Sequence, residues 1–592
     1  MKKKEINKIK KIITNPLFII LILIVISLLI RIPIIYKQAI DVDEYYSYLA
    51  AKGIVLHGLP QLPSGMVYTR ALLASYLNAG FLVLIGDSIE SMRFLSLIFS
   101  ILLIPLTYLV GKRLFNKNTG LLAAAFVTLF RFEHFYATNA RMYMQLQFLF
   151  LLTIYLFYLG FEENKTRYKY LVLLPFIAGL FTHQLMLMFI PPIFLYLFLT
   201  KKLGFLKNKY NLFSLVLLLL SVLFTYMLSS NIPNQIYIPE GYSWDLAIGF
   251  SLTNFNFSWV ITALIEEMPF ILIFFIIGLI FLFNEKNKKL LFFYTMSIVV
   301  TVLTTLYINQ KVFRYYFETL PIYIIIISYV IIRLFLFLTK TFTIQKNGLA
   351  VNEFFTKLFL KYGNTMAFIG IIAGLIISVI ALAYDFIKRN EMKIFSVNQA
   401  IIALAGLGLI VISICSIKQN ARKYINKLIV LAVLIFLIFE TGLYYQILPI
   451  NLVEDLHSHQ YFAGPYITLS EDFVTFLRSN YQENDKIIYM YNSIDYQIRP
   501  LAVNYEIRQR NIEGEFKTFE NNILDPYLGV LVIDSKEKLE EILAKENRTW
   551  IIVDEFVARL SDDFKNFINN LTPVFIDPEN PEIKLILVSN RE

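Results

Sequence analysis

Apolar runs long enough to cross a bilayer recur along the first three quarters of this chain, and short basic segments separate them. A helix needs roughly 20 apolar residues to span the hydrocarbon core. Only a helix or a closed barrel can satisfy its backbone there. The runs fall at 16–36, 91–111, 120–137, 143–160, 170–183, 185–200, 210–229, 268–284, 290–308, 316–338, 365–385, 398–416 and 427–448. They predict a polytopic α-helical membrane protein with about thirteen transmembrane helices. Composition agrees. Hydrophobic residues make up 57% of the 592 and charged residues 17%, against roughly 45–50% and about 25% in soluble domains. A soluble globular chain and a disordered one are both excluded.

Charge sets the expected sidedness. The N-terminus, MKKKEINKIKK, runs into an apolar stretch too long for a signal-peptide core, with no small-residue cleavage site after it. It reads as a retained first helix entering from the cytoplasm. Lys112, Arg113 and Lys117, then Lys165, Arg167 and Lys169, then Lys201, Lys202, Lys207 and Lys209 fall in loops expected inside. Residues 230–269, expected outside, contain no Lys or Arg. Lys388, Arg389 and Lys393 run mildly against the pattern. An odd number of spans puts the C-terminus outside, in a multi-pass plasma-membrane protein.

The tail differs in kind. It holds 14 of the 54 basic and 25 of the 44 acidic residues after position 451, leaving 40 and 19 before it. A basic membrane part with an acidic tail does not point to nucleic acid. Short β-rich runs at 486–491, 528–534, 549–554 and 583–589 alternate with helical stretches that start at Ser470 and after Asp534. That alternation predicts a small α/β domain with a mainly parallel sheet. The expected organisation is a transmembrane module over 1–338, with its first external loop at 36–90. A linker and further helices follow over 339–451, then a soluble extracytoplasmic α/β domain over 452–592. A lone cysteine, Cys415, rules out an intrachain disulfide.

Acids are scarce in the membrane part, yet Asp41, Asp43 and Glu44 sit together in DVDEYYSYLAAKG, just past the first span. Acids favour the first turn of a helix, which is one reading. The other is a carboxylate at the outer surface acting as general base.

This segment, with HGLPQLPSGMVYTRALLASYL, ESMRFLSLIFSILLIPLTYLVGKRLF, ATNARMYMQLQFL and VFRYYFETLPIYIII, resembles the GT-C superfamily of polyprenyl-phosphate-sugar-dependent membrane glycosyltransferases. Within it, the sequence is similar to the protein O-mannosyltransferase and aminoarabinose transferase branch, over roughly residues 16–338. The resemblance implies a GT-C-like helical fold and transfer of a monosaccharide, mannose or similar, from a polyprenyl-phosphate donor. The acceptor would be an extracytoplasmic hydroxyl on protein, lipid or glycan. The carboxylate takes the hydroxyl proton, the oxygen attacks the anomeric carbon with inversion, and cationic groups hold the departing phosphate. No nucleotide motif is needed, and none is present.

Carried over residue by residue, Asp43 matches the base position, with Glu44 beside it as orienter or supporting catalytic acid, and Asp41 stays open as a rival base. Arg70, two residues after Tyr68 in VYTRALL, takes the place of a phosphate-binding basic residue. Arg141 and Tyr143 are expected near phosphate or acid, and His183 at an outer helix turn is expected to contact substrate. Arg314, with Tyr315, approaches the lipid phosphate. Glu133 and His134 are candidate ligands for a divalent metal. The branch's metal-binding Glu is replaced here by Thr69, which puts a metal at that place in doubt. Other classes stay open: a transporter or flippase for a lipid-linked sugar, and a non-catalytic scaffold. A transporter calls for midplane charges and repeated halves. The ionisable candidates here cluster at the outer interface, and no repeat is evident.

Overall fold

The computed structural model describes residues 15–38, 40, 42–69, 71–230, 269–285, 287–307, 313–347, 469–490, 494–498, 501–507, 517–519, 522–525, 528–554 and 560–590. The spans expected at 365–385, 398–416 and 427–448, the linker, Asp41 and Arg70 lie outside them.

The chain starts with α1 (Pro16–Lys37), capped by Asn15, whose side chain accepts from Leu17 N–H. Next come α2 (Val42–His57) and α3 (Leu72–Leu84), both inside the stretch expected as a loop. The tip of α3 is apolar and exposed at Val83, Leu84 and Ile85, a surface that suits lipid. Then follow α4 (Ile89–Leu114), α5 (Lys117–Leu129), α6 (Arg131–Ala137) and α7 (Tyr143–Phe157), which continues as a π-turn over Tyr158–Glu162. After α8 (Thr166–Leu171) and α9 (Leu173–Thr182), a 3-10 helix over Gln184–Phe189 leads into α10 (Ile190–Lys201). The described helices then continue with α11 (Lys209–Ser230), α12 (Pro269–Glu285), α13 (Lys288–Tyr307), a 3-10 helix over Phe313–Thr319 and α14 (Leu320–Asn347).

Among the described residues, six helices are long and apolar enough to cross a membrane: Pro16–Lys37, Ile89–Leu114, Tyr143–Glu162, Gln184–Lys201, Lys288–Leu306 and Arg314–Leu334. The chain is a multi-pass helical membrane protein. Lipid offers no hydrophobic force to press helices together, so close backbone approach matters. A Cβ on Gly111 would lie 2.8 Å from Gly120 Cα, and one on Gly120 would lie 2.5 Å from the Tyr108 carbonyl oxygen. These two glycines let α4 and α5 meet.

The run 120–137 is not one helix. It breaks at Phe130, whose backbone is extended, and α5 ends with carbonyls that need donors. Arg31, buried on α1, supplies them: its Nη2 donates to the Val127 carbonyl at 3.0 Å and its Nε to His134 Nδ1 at 3.2 Å. His134 Nε2 lies 3.2 Å from the Leu129 carbonyl.

The C-terminal α/β region carries helices α15 (Glu471–Asn480), α16 (Ile494–Gln497), α17 (Lys536–Lys545) and α18 (Asp562–Asn569). Its described strands are β1 (Lys486–Tyr489), β2 (Tyr505–Ile507), β3 (Lys517–Phe519), β4 (Asn522–Leu524), β5 (Leu531–Ile533), β6 (Arg548–Val553), β7 (Pro573–Ile576) and β8 (Lys584–Ser589). They form one sheet in the order β3-β4-β5-β2-β1-β6-β8-β7. The inner four run parallel, with Ile487 beside Trp550 and Tyr505 beside Leu531. The outer strands on both sides pair antiparallel. The expectation of a mainly parallel sheet therefore holds at the centre and fails at the edges. Strand β8 follows β7 through a short connection, which permits only an antiparallel pair. Ser470 and Ser535 cap α15 and α17 as the sequence predicts, accepting from Phe473 N–H and Lys538 N–H.

Candidate active site

Asp43 lies in the first turn of α2. Its Oδ2 is 2.7 Å from Arg314 Nη1 and 3.4 Å from Arg141 Nη2. Arg141 comes from the turn before α7, and Arg314 from the 3-10 helix before α14. Three segments separated by up to 271 residues thus meet on one carboxylate. Arg141 Nη1 also donates to the Asp43 carbonyl at 2.6 Å, to Ser47 Oγ at 2.9 Å and to Tyr68 Oη at 3.4 Å. Ser47 Oγ in turn donates to the Asp43 carbonyl at 3.0 Å.

Aromatic rings line the cluster. Arg314 lies over Tyr315 at 5.2 Å and Arg141 over Tyr143 at 6.0 Å. The His183 ring stands between these tyrosines, 5.9 Å from Tyr143 and 6.5 Å from Tyr315. His183 is held by its own backbone role, since Nδ1 accepts from Leu185 N–H at 3.1 Å at the start of the 3-10 helix.

Exposure separates the members. The Asp43 side chain is 29% exposed, Arg314 19% and Arg141 7%. The carboxylate is the solvent-facing member, and the guanidiniums sit behind it. Two guanidiniums thus share the Asp43 carboxylate. Guanidinium is the group best shaped for a phosphate or carboxylate.

Glu44 points elsewhere. It is fully buried and pairs with Arg93 of α4 through two bonds, Nε to Oε1 at 2.8 Å and Nη2 to Oε2 at 2.7 Å. Its Oε1 also accepts from Ala140 N–H at 2.6 Å. Arg93 uses Nη1 on the carbonyls of Ile35 and Gln38, at 2.6 and 3.0 Å. Glu44 therefore ties α2 to α4, to the end of α1 and to the turn that carries Arg141. Ser96 pins that same turn by donating to the Asn139 carbonyl at 2.7 Å.

The expected metal pair does not fit its role. Both ring nitrogens of His134 are engaged, one by Arg31 and one with the Leu129 carbonyl. Glu133, also buried, accepts from Gln147 Nε2 at 3.0 Å; that nitrogen donates as well to the Phe317 carbonyl, at 2.9 Å. Adjacent helical positions point in different directions, so the two side chains serve separate contacts. Among the described residues no three His, Cys, Asp or Glu converge as metal ligands.

Of the sequence-predicted residues, the fold brings together Asp43, Tyr68, Arg141, Tyr143, His183, Arg314 and Tyr315. Ser47 and Arg93 were missed. Ser47 stands four residues after Asp43, one helical turn on, a spacing that could have found it. Arg93 lies in a motif already singled out, but nothing in one sequence pairs it with Glu44.

Residues 69–228 match the family model described as dolichyl-phosphate-mannose-protein mannosyltransferase. The match takes in Arg141, Tyr143 and His183 and stops short of Asp43 and Arg314. No curated protein matches the chain. Among solved structures, ArnT from Cupriavidus metallidurans in the apo state is similar with a TM-score of 0.54 at 10% identity, over 97% of this chain and 99% of that one. The same protein bound to undecaprenyl phosphate gives a TM-score of 0.56 at 10% identity, over 96% and 98%. The likeness shows a fold shared with ArnT. At such identity the likeness speaks for the fold, and the chemistry has to be argued from the site.

Proposed function

We infer that this GT-C-fold protein transfers a monosaccharide, mannose or a similar sugar, from a polyprenyl-phosphate donor to a hydroxyl presented outside the membrane. The observation that carries the reading is the partly exposed Asp43 carboxylate held against Arg141 and Arg314. In this reading the donor phosphate takes over the two guanidiniums. Asp43, released from them, accepts the proton of the acceptor hydroxyl. The hydroxyl oxygen forms its bond to the anomeric carbon as the bond from that carbon to the phosphate oxygen breaks. The electron pair leaves with the polyprenyl phosphate, whose anion the arginines hold. Attack opposite the leaving group inverts the anomeric centre. Tyr68, Tyr143, Tyr315 and His183 would line the sugar, and Glu44 would position Asp43 and Arg141 without touching substrate. Arg70, two residues after Tyr68 in sequence, would add a third cation. The acceptor is a protein, lipid or glycan hydroxyl. The site faces outward, with the C-terminal region on the same side.

Sugar transfer in proteoliposomes tests this. Supplied with polyprenyl-phosphate mannose and other lipid-linked sugars, wild type releases polyprenyl phosphate. Asp43→Asn, still folded, loses roughly 10²–10⁴ of that rate. Loss confined to Asp41→Asn would move the base. A robust rate unaffected by either substitution would sink the assignment.

A further inference from the structure

The C-terminal α/β region reaches the candidate active-site layer through Tyr496. Tyr496, on the single-turn helix α16, stands edge-on to Tyr48 of α2, with ring centroids 5.4 Å apart and planes at 73°. It meets Tyr45 one turn earlier at 6.1 Å and 59°. Its hydroxyl accepts from the backbone N–H of Ile89 at 3.0 Å. Ile89 opens α4, and Arg93 follows one turn on, in the two-bond clamp on Glu44. Tyr496 therefore touches both helices that the Glu44–Arg93 pair joins.

The residues after Tyr496 tie it back to the α/β region. Ile498, two residues on, is buried in the α/β core. Gln497 accepts at its side chain from Leu469 N–H at 2.7 Å, and at its carbonyl from Arg478 at 3.3 Å. A second contact lies nearby. Leu528 packs into the same tyrosine cluster. Gly529, at a left-handed φ of 73°, approaches so closely that a Cβ there would lie 2.9 Å from Ser64 Cα. Ser64 belongs to the loop that delivers Tyr68 to Arg141. The α/β region thus braces the start of α2 and the Tyr68 loop together. Those two pieces hold the Asp43–Arg141 geometry from outside.

We propose that Tyr496 is a positioning residue: through it the C-terminal α/β region sets the placement of the α2 start, and hence of Asp43. A shift of about 1 Å at a reacting group costs rate out of proportion to any loss of fold. The role of Asp43 rests on the function proposed above, whereas the bracing of α2 does not. Two readouts on the full-length protein keep them apart.

The first is amide hydrogen exchange over residues 46–52 in wild type, Tyr496→Ala and Tyr496→Phe. The Ala variant is expected to exchange these amides about tenfold faster, with β1 and β6 amides unchanged and the Phe variant near wild type. The second is turnover of the lipid-linked donor. The Ala variant is expected to lose kcat by about tenfold or more at an unchanged donor KM, and Phe to recover it to within about threefold. Unchanged exchange in Tyr496→Ala overturns the proposal. So does faster exchange with kcat intact, because bracing would then not reach Asp43. A wild type inert toward every donor would overturn the proposed function while leaving the exchange result to decide whether Tyr496 holds α2.

Discussion

Asp43 and Glu44 are neighbours with opposite fates, and helix geometry explains why. Successive side chains on a helix diverge by about 100°, so one faces the arginines of the candidate site and the other faces α4. Asp43 keeps partial contact with solvent, whereas Glu44 is sealed against Arg93. That difference decides what each substitution does. Removing one partner from a buried ion pair strands a charge, at a cost of about 3–5 kcal/mol. Glu44→Gln is therefore expected to lower the thermal midpoint in detergent sharply. Asp43→Asn, at a partly exposed position, is expected to leave it nearly unchanged while abolishing transfer. Equal midpoints for the two variants would contradict the assignment of Glu44 to Arg93.

At the scale of elements, the break between α5 and α6 departs furthest from a reading by hydropathy. The apolar run 120–137 looks continuous because a window average does not register which carbonyls find donors. The break at Phe130 is stabilised from another helix, by Arg31 on α1 and by His134 turned back on Leu129. The same contacts bear on Glu133 and His134 as metal ligands: spacing along the chain does not show that both imidazole nitrogens have partners within the protein. Arg31→Met leaves the Val127 carbonyl and His134 Nδ1 without their donor. Each unsatisfied buried group costs about 1–3 kcal/mol. Chemical denaturation should show a loss of that order. A variant as stable as wild type would mean that the break is held by packing alone.

Across the whole molecule, sidedness is the expectation most directly open to test. The basic cluster around Lys165 and the acidic C-terminal region are expected on opposite sides of the membrane. In a Cys415→Ser background, Glu537→Cys should react with a membrane-impermeant maleimide in intact cells. Thr166→Cys should react only after permeabilisation. The reverse pattern, or labelling of both in intact cells, would overturn the topology and with it the outward-facing site. The same scale holds the brace at Tyr496, which joins positions 45, 48, 89 and 496 and has no local signature.

The two levels divide on physical grounds. Hydropathy and charge are local, additive properties, so the membrane class, six of the thirteen expected span positions, strand cores of the tail and the serine caps were legible residue by residue. So was the short set of ionisable side chains past the first span and before the last described one, because charge near hydrocarbon is too costly to be incidental. Pairing is not local. Which arginine meets Asp43, which acid Arg93 neutralises, and where α5 must stop depend on distances that exist only once distant segments pack. The antiparallel edges of the sheet and the docking of Tyr496 on α2 are of the same kind. Each is a contact whose energy comes from burial and complementary geometry, and a single sequence carries no measure of either.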